Sequence, residues 1–354
     1  MFKSKRIVCF VIFFSISLLF GIYFFLKHIG YRSSSPAEYT QTVPKNLQEV
    51  IGYDDFISIS SEGPIIPGLS EGLIPQGLCY VNKHAVFLST GYHKGGAPST
   101  IFVVDKESGT LLKSVILYDN EGTPFHGHVG GIASDGDWIW ISSENRVYTI
   151  PYEILENASN MDSISLSEGF ECFVNADYIY WDGTYLWIGE YNYAPFYKTD
   201  STHYSVDSDG KEYNALVLGY SVFFTDGTIE KAKIALYVPD KVQGIIMQKD
   251  GSIILSCSFW CFEDSKLMCY SLIENSNNSS TIINEKPIPL FYLKDQYLQW
   301  ELVMPPMSEG IALADSNYYI LFESTSKLYS WYSNNQLSNI MIVPSQQIFT
   351  KEDN

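Results

Sequence analysis

Five polar residues, Gln76, His128, Asn175, Gln243 and Glu309, each stand just ahead of a short apolar segment of the chain. One carboxylate among neutral amide oxygens is the donor chemistry of a hard cation such as calcium, with Glu309 supplying charge and Asn175 a carbonyl ligand. The same side chains can instead hold a small polar ligand, or form a hydrogen-bonded plug around trapped water. Tyr92, Tyr191 and Trp260 lie in neighbouring loops, and aromatic faces beside polar groups suit a sugar, a peptide or a small organic molecule. His126-Gly127-His128 offers different chemistry, because two imidazoles one residue apart on an extended chain point the same way. They could act as general base and partner, or as two metal ligands. No third ligand or orienting carboxylate is identifiable, so a catalytic role for His126 and His128 rests on the pair alone. Asp207-Ser208-Asp209-Gly210-Lys211-Glu212 has the look of a calcium loop. It lacks the flanking helices and the terminal acid at the required spacing, and reads as a solvated acidic insertion. No Gly-x-Ser-x-Gly elbow, P-loop or dinucleotide fingerprint is present.

These residues are far apart in sequence, so a repeated scaffold must gather them. Five segments beginning at Gly77, Gly131, Asp177, Gly244 and Gly310 share one form: an apolar strand, a tight turn, and a second apolar strand. Third strands are expected at 100–105, 146–151, 215–222, 266–272 and 327–332, and fourth strands at 111–117, 229–238 and 281–293. One four-stranded sheet cannot bury both faces, whereas sheets set round an axis bury each face against a neighbour. The reading is an all-β fold, a β-propeller of five four-stranded blades over residues 51–354, with six as the alternative. Residues 55–60 would complete the last blade; a sixth blade would be drawn from 50–75. In a propeller the starts of the inner strands and the loops after the second strands share one mouth of the channel. That geometry brings Gln76, His128, Asn175, Gln243 and Glu309 together and sets Tyr92, Tyr191 and Trp260 on the rim.

With 46% hydrophobic and 18% charged residues, the 354-residue chain has the composition of a folded protein. Its formal charge of −18 removes nucleic acid as a partner, since binding phosphates non-specifically requires an excess of Lys and Arg. The basic residues Lys3, Lys5, Arg6, Lys27 and Arg32 cluster at the start, which leaves the rest more acidic still. Residues 7–26 carry no charge; twenty residues at about 1.5 Å each span roughly the 30 Å of a bilayer core. The expectation is a signal anchor: a cytoplasmic tail at 1–6, a transmembrane helix at 7–26, a linker at 27–50 and an extracytoplasmic C-terminal domain. Beyond Cys9 there are five cysteines, and Cys257, Cys261 and Cys269 lie close enough in sequence for one local disulfide.

The segments Ile74-Pro75-Gln76-Gly77-Leu78, His128-Val129-Gly130-Gly131-Ile132-Ala133, Val242-Gln243-Gly244-Ile245 and Pro305-Pro306-Met307-Ser308-Glu309-Gly310-Ile311-Ala312 carry a further signal. Together with Leu321-Phe322-Glu323-Ser324, they resemble a group of bacterial secreted β-propeller proteins of unestablished activity. The likeness runs over residues 72–332. More distantly the body resembles the class of propellers that includes senescence-marker protein, strictosidine synthase and paraoxonase. That second resemblance implies a calcium-dependent lactonase or esterase, although the metal ligands of the class do not carry over residue by residue.

The functional expectation is a membrane-tethered module that binds a small molecule, a glycan or a protein at one mouth of the channel. A divalent-metal-dependent hydrolase is the first alternative, and a structural protein of the cell envelope the second.

Overall fold

The hairpin turns show how local chemistry starts each blade. In three repeats an aspartate opens the turn and a glycine follows in the left-handed region, Gly136 at φ +96°, Gly183 at +96° and Gly251 at +86°. The aspartate side chain caps the turn from within: Asp135 accepts from the Trp138 N–H, Asp182 from that of Tyr185 and Asp250 from that of Ser252. Such a turn reverses the chain in a few residues and leaves the flanking apolar strands to pair.

The computed structural model describes residues 35–271, 280–283 and 285–346. The strands form five blades in chain order. Blade one is built from Ile74–Val81, Val86–Tyr92, Thr100–Asp105 and Leu111–Tyr118, with Ser163–Ser165 added in parallel at its outer edge. Blade two consists of Gly131–Ser134, Trp138–Ser143, Arg146–Pro151 and Phe170–Glu171. Blade three runs through Tyr178–Trp181, Leu186–Gly189, Ala215–Val222 and Ile229–Val238, then gains Lys286–Tyr292 in parallel and Ser280–Ile283 beyond it. Blade four comprises Val242–Met247, Ser252–Cys257, Ser265–Ser271 and Leu298–Met304. Blade five takes Ser308–Ala314, Asn317–Phe322 and Asn339–Pro344, and its outermost strand is Ser61–Ile65 from the other end of the chain.

The ring is closed. Each first strand packs against the first strand of the next blade, and that of blade five against that of blade one. The apolar core divides in the same way, into one cluster per blade interface. Leu88 and Val103 of blade one meet Ile139 and Ile141 of blade two. Trp140 of blade two meets Leu216 and Leu218 of blade three. Trp187 of blade three meets Ile253 and Leu255 of blade four. Ile254 and Leu267 of blade four meet Ile320 of blade five, and Leu321 and Ile340 of blade five meet Leu78 and Phe87 of blade one. At the axis the first strands come so close that a side chain cannot fit: a Cβ on Gly77 would lie 2.8 Å from the Ile132 nitrogen, and one on Gly310 2.6 Å from that of Leu78. Glycine at these repeat starts is therefore a requirement of the ring.

Several expectations need correction. Residues 55–60 are not the closing strand; Asp54–Ile59 is a short helix, α1, whose Phe56 is buried in the cluster between blades four and five, and closure falls to Ser61–Ile65. No sixth blade forms from 50–75. Residues 327–332 are turns, because the Tyr329 and Ser330 N–H groups bond back to the Ser326 carbonyl; the third strand of blade five is Asn339–Pro344. The expected strand at 281–293 is present in two parts, but it extends blade three and not blade four. Five cysteines, Cys79, Cys172, Cys257, Cys261 and Cys269, are free thiols, so the local disulfide does not form. The acidic insertion is not simply solvated: Asp207 is buried, and Lys294 lies 3.9 Å from it and 2.6 Å from Asp209.

The proposed transmembrane helix at 7–26 lies outside the described residues. Among the described residues no helix is long and apolar enough to cross a membrane. Part of the expected linker is held against the ring, where the buried Tyr39 hydroxyl meets His93 at 2.8 Å and Gln41 bonds the carbonyls of Ile65 and Gly109.

Candidate functional site at one mouth of the channel

The first strands and the loops after the second strands do share a mouth, and a cavity of about 300 Å³ opens there. Its polar lining comes from all five blades. Gln76 and Glu309 sit near the starts of the first strands of blades one and five, Gln243 on that of blade four, and Asp177 directly before that of blade three. His128 enters from the loop ahead of blade two. From the ends of the second strands come Tyr92, Glu144, Tyr191, the run Ser258-Phe259-Trp260, and Glu323. Tyr197 and Tyr329 complete the wall.

The floor is a hydrogen-bonded carboxyl pair spanning blade five. Glu309, 4% exposed, bonds Glu323, and each is also held by an amide: Gln243 donates to Glu309 at 3.2 Å and Gln76 to Glu323 at 3.2 Å. Burial and the neighbouring Glu323 carboxylate push the Glu309 carboxyl well above its usual range. Burial raises Glu323 to about 8, with the hydrogen bonds from Glu309 and Gln76 pulling the other way. Two carboxyls this close cannot both ionise cheaply in a dry site, so they share a proton. Asp177 is raised to about 7 by burial, opposed by the Tyr191 N–H that it accepts at 2.6 Å. The His128 ring opens onto the cavity and packs on Tyr92 at 4.7 Å between centroids. Protein surrounds it closely enough that burial lowers its pKa to about 4, which leaves a neutral imidazole.

The rim is aromatic. Phe259 stacks on Tyr193 at 3.8 Å, Trp260 on Tyr332 at 5.5 Å, and Phe196 is 70% exposed beside them. Lys241, beside this rim, is paired with Glu263 and lies over the Tyr193 ring.

Of the residues singled out in the sequence, Gln76, His128, Gln243, Glu309, Tyr92, Tyr191 and Trp260 line the cavity. Asn175 does not. Its side chain is exposed, and its backbone N–H is turned to Glu190. Asp177 holds the place that the repeat assigned to Asn175, because it stands directly ahead of the first strand of blade three, which begins at Tyr178. His126 and His128 do not converge: His126 is exposed, with Nδ1 3.1 Å from the Ala97 carbonyl. Among the described residues no three His, Cys, Asp or Glu side chains come together to hold a metal. Of the two calcium ligands expected, Glu309 alone is in the cavity, and it is already engaged by Glu323 and Gln243.

A second acid and imidazole pair lies behind blade three. Glu190, 1% exposed, meets His203 Nδ1 at 2.9 Å, accepts the Leu216 N–H at 3.0 Å, and Phe173 stacks on the imidazole at 5.0 Å. The bond to Glu190 raises the pKa of His203, against the opposing effect of burial.

Sequence comparison returns nothing: no family model and no curated protein matches the chain. The resemblance to secreted bacterial propellers therefore finds no support there. Among solved structures the chain is similar to a gluconolactonase of Xanthomonas campestris, at 8% identity and a TM-score of 0.39, over 86% of this chain and 99% of that one. It is also similar to a periplasmic gluconolactonase of Pseudomonas aeruginosa, at 11% identity and a TM-score of 0.34 over 70% and 64% of the two chains. A hydrazine synthase of Kuenenia stuttgartiensis gives 7% identity and a TM-score of 0.33 over 77% and 87%. Similarity at this level bears on no function, and the propeller is established by its own strand order and ring closure.

Proposed function

We propose that this propeller is a binding module that takes a small polar molecule at the channel mouth, tethered to a membrane by residues 7–26 with the ring on the extracytoplasmic side. The observation that carries the reading is the cavity itself: polar groups from every blade line it, and Tyr92, Tyr191, Phe259, Trp260 and Tyr329 wall it. Its size, about 300 Å³, is that of a small-ligand pocket, which favours a small molecule or a terminal sugar unit over a protein surface. The test is a thermal-shift screen of the full chain against mono- and oligosaccharides, amines and organic acids, repeated on Trp260→Ala. At least one compound should raise the melting temperature of the wild type and lose that effect in the variant. A panel with no stabilising compound would overturn the reading.

The hydrolase alternative draws on one observation, the buried, hydrogen-bonded pair of Glu309 and Glu323, because a carboxyl pair of this kind can donate and accept a proton in one site. It predicts turnover of an ester or lactone that is lost in Glu323→Gln.

A further inference from the structure

The lining of the cavity has a sign. Four acidic residues line it, Glu144, Asp177, Glu309 and Glu323, and neither lysine nor arginine is among its lining residues. Its amides add acceptors. Gln76, 3% exposed, gives its N–H groups to the Pro75 carbonyl and to Glu323, and its own carbonyl oxygen receives no hydrogen bond from the described protein. Gln243 likewise donates to Glu309 and leaves its oxygen unpartnered among the described residues. Lys241 cannot neutralise the cavity, being held outside it by Glu263. Acceptors at the edge of a cavity take their donors from its contents, and a group with several N–H bonds and a positive charge supplies them. The walls fit the rest of such a molecule, since tyrosine and tryptophan faces attract cations and cover apolar carbon.

We propose that the cavity takes a small organic cation, with a primary ammonium group seated against Glu309, Glu323 and the carbonyl oxygens of Gln76 and Gln243, and its carbon body against the aromatic wall. The assignment rests on the ligand-binding reading above and narrows it to one chemical class. A carboxylate ligand would face four acidic residues, whereas an ammonium group brings donors and, by its own charge, favours ionisation of floor carboxyls that burial otherwise holds protonated.

Three probes of one shape separate these classes: cyclohexylmethylamine, cyclohexylmethanol and cyclohexanecarboxylate. Their binding to the full chain is measured by saturation-transfer NMR and calorimetry at pH 7 and constant ionic strength. Because the whole chain is acidic, with a formal charge of −18, the same titrations are run on Glu323→Gln and, as a second fold-preserving change, Asp177→Asn. The amine should bind at one site at least tenfold more tightly than the alcohol, the carboxylate should not bind, and each variant should cut the preference severalfold. An amine no tighter than the alcohol, or a preference that survives both variants, overturns the proposal. If the alcohol or the carboxylate binds best, or the broader screen yields only neutral or anionic ligands, the cation assignment fails while ligand binding stands. If neither these probes nor the screen gives a ligand, both fail.

Discussion

Replacing Glu309 by glutamine tests the shared proton without changing the shape of the floor. In the folded chain Glu309 holds its proton far above the usual glutamate range because it is buried beside Glu323; in the unfolded chain it releases that proton near pH 4.3, at the reference value for glutamate (~4.3). Between those limits the native state binds one more proton than the unfolded state, so stability falls as pH rises, by about 1.4 kcal/mol per pH unit for one proton. From pH 5.5 to 7.5 the upper limit for one proton is roughly 3 kcal/mol. Glutamine cannot ionise, and its amide can still bond Glu323, so the variant should be spared this loss. Two histidines oppose the trend: His93 and His128 are both lowered to about 4 by burial, and they make stability rise with pH up to about 6.5. They are present in both proteins, and the difference between wild type and variant removes them. The assay is urea unfolding of wild type and Glu309→Gln at half-unit steps of pH from 5 to 8. The gap in unfolding free energy should widen in favour of the variant as pH rises, by up to roughly 3 kcal/mol over two pH units. Curves that stay parallel would show that Glu309 ionises normally, and the account of the floor would be wrong.

Gly77→Ala should destabilise the ring by about 2–3 kcal/mol, because the new methyl has the Thr90 hydroxyl and the backbone of blade two in its way; denaturant midpoints check this, and a change under 0.5 kcal/mol would be on the order of an ordinary surface substitution. His203→Ala strands the buried Glu190 carboxylate and should cost about 3 kcal/mol at pH 7, with a smaller loss at pH 4.5, where Glu190 can take up a proton. Gly63→Val should unlatch blade five, since a Cβ there would lie 2.7 Å from the Ile340 carbonyl oxygen; proteolysis between residues 45 and 70 should accelerate. Phe259→Ala removes the face stacked on Tyr193 and should weaken binding of any ligand found by the screen by about 1 kcal/mol, while moving the melting temperature little.

Strand positions were legible wherever β-branched and aromatic residues alternate between aspartate and glycine turns. Thr100–Asp105, Arg146–Pro151, Ala215–Val222 and Ile229–Val238 can be read from the chain with their observed bounds. Alternation does not say which sheet a strand joins, so the segment around Lys286–Tyr292 could be located but not assigned to blade three. Nor does it exclude turns: Leu328 and Tyr329 look like strand residues, yet backbone bonds to Ser326 coil them over the mouth. The same limits govern the cavity. Gln76, Gln243 and Glu309 were found because a glycine directly follows each of them, whereas in blade three Tyr178 follows Asp177, and the two-residue shift from Asn175 to Asp177 was not visible. Glu323 could be placed on the rim from its position after a second strand, and Glu144 stands at the equivalent position in blade two, a signal that the repeat contains. Their shared acidity emerges only when the blades are set side by side.

Closure of blade five also places the cavity in time. Gly63 and Asn339, bonded across the seam, lie 276 positions apart, and Gln76 reaches Glu323 over 247. A ribosome adding about 5–20 residues per second takes roughly 15–60 seconds to cover such a distance. Throughout that interval the first strand waits without its partner, and Gln76 waits for the carboxyl that it will bond. A nascent chain can complete four blades and still have no pocket, so the ability to hold a ligand arrives with the final segment and reports that the ring has shut.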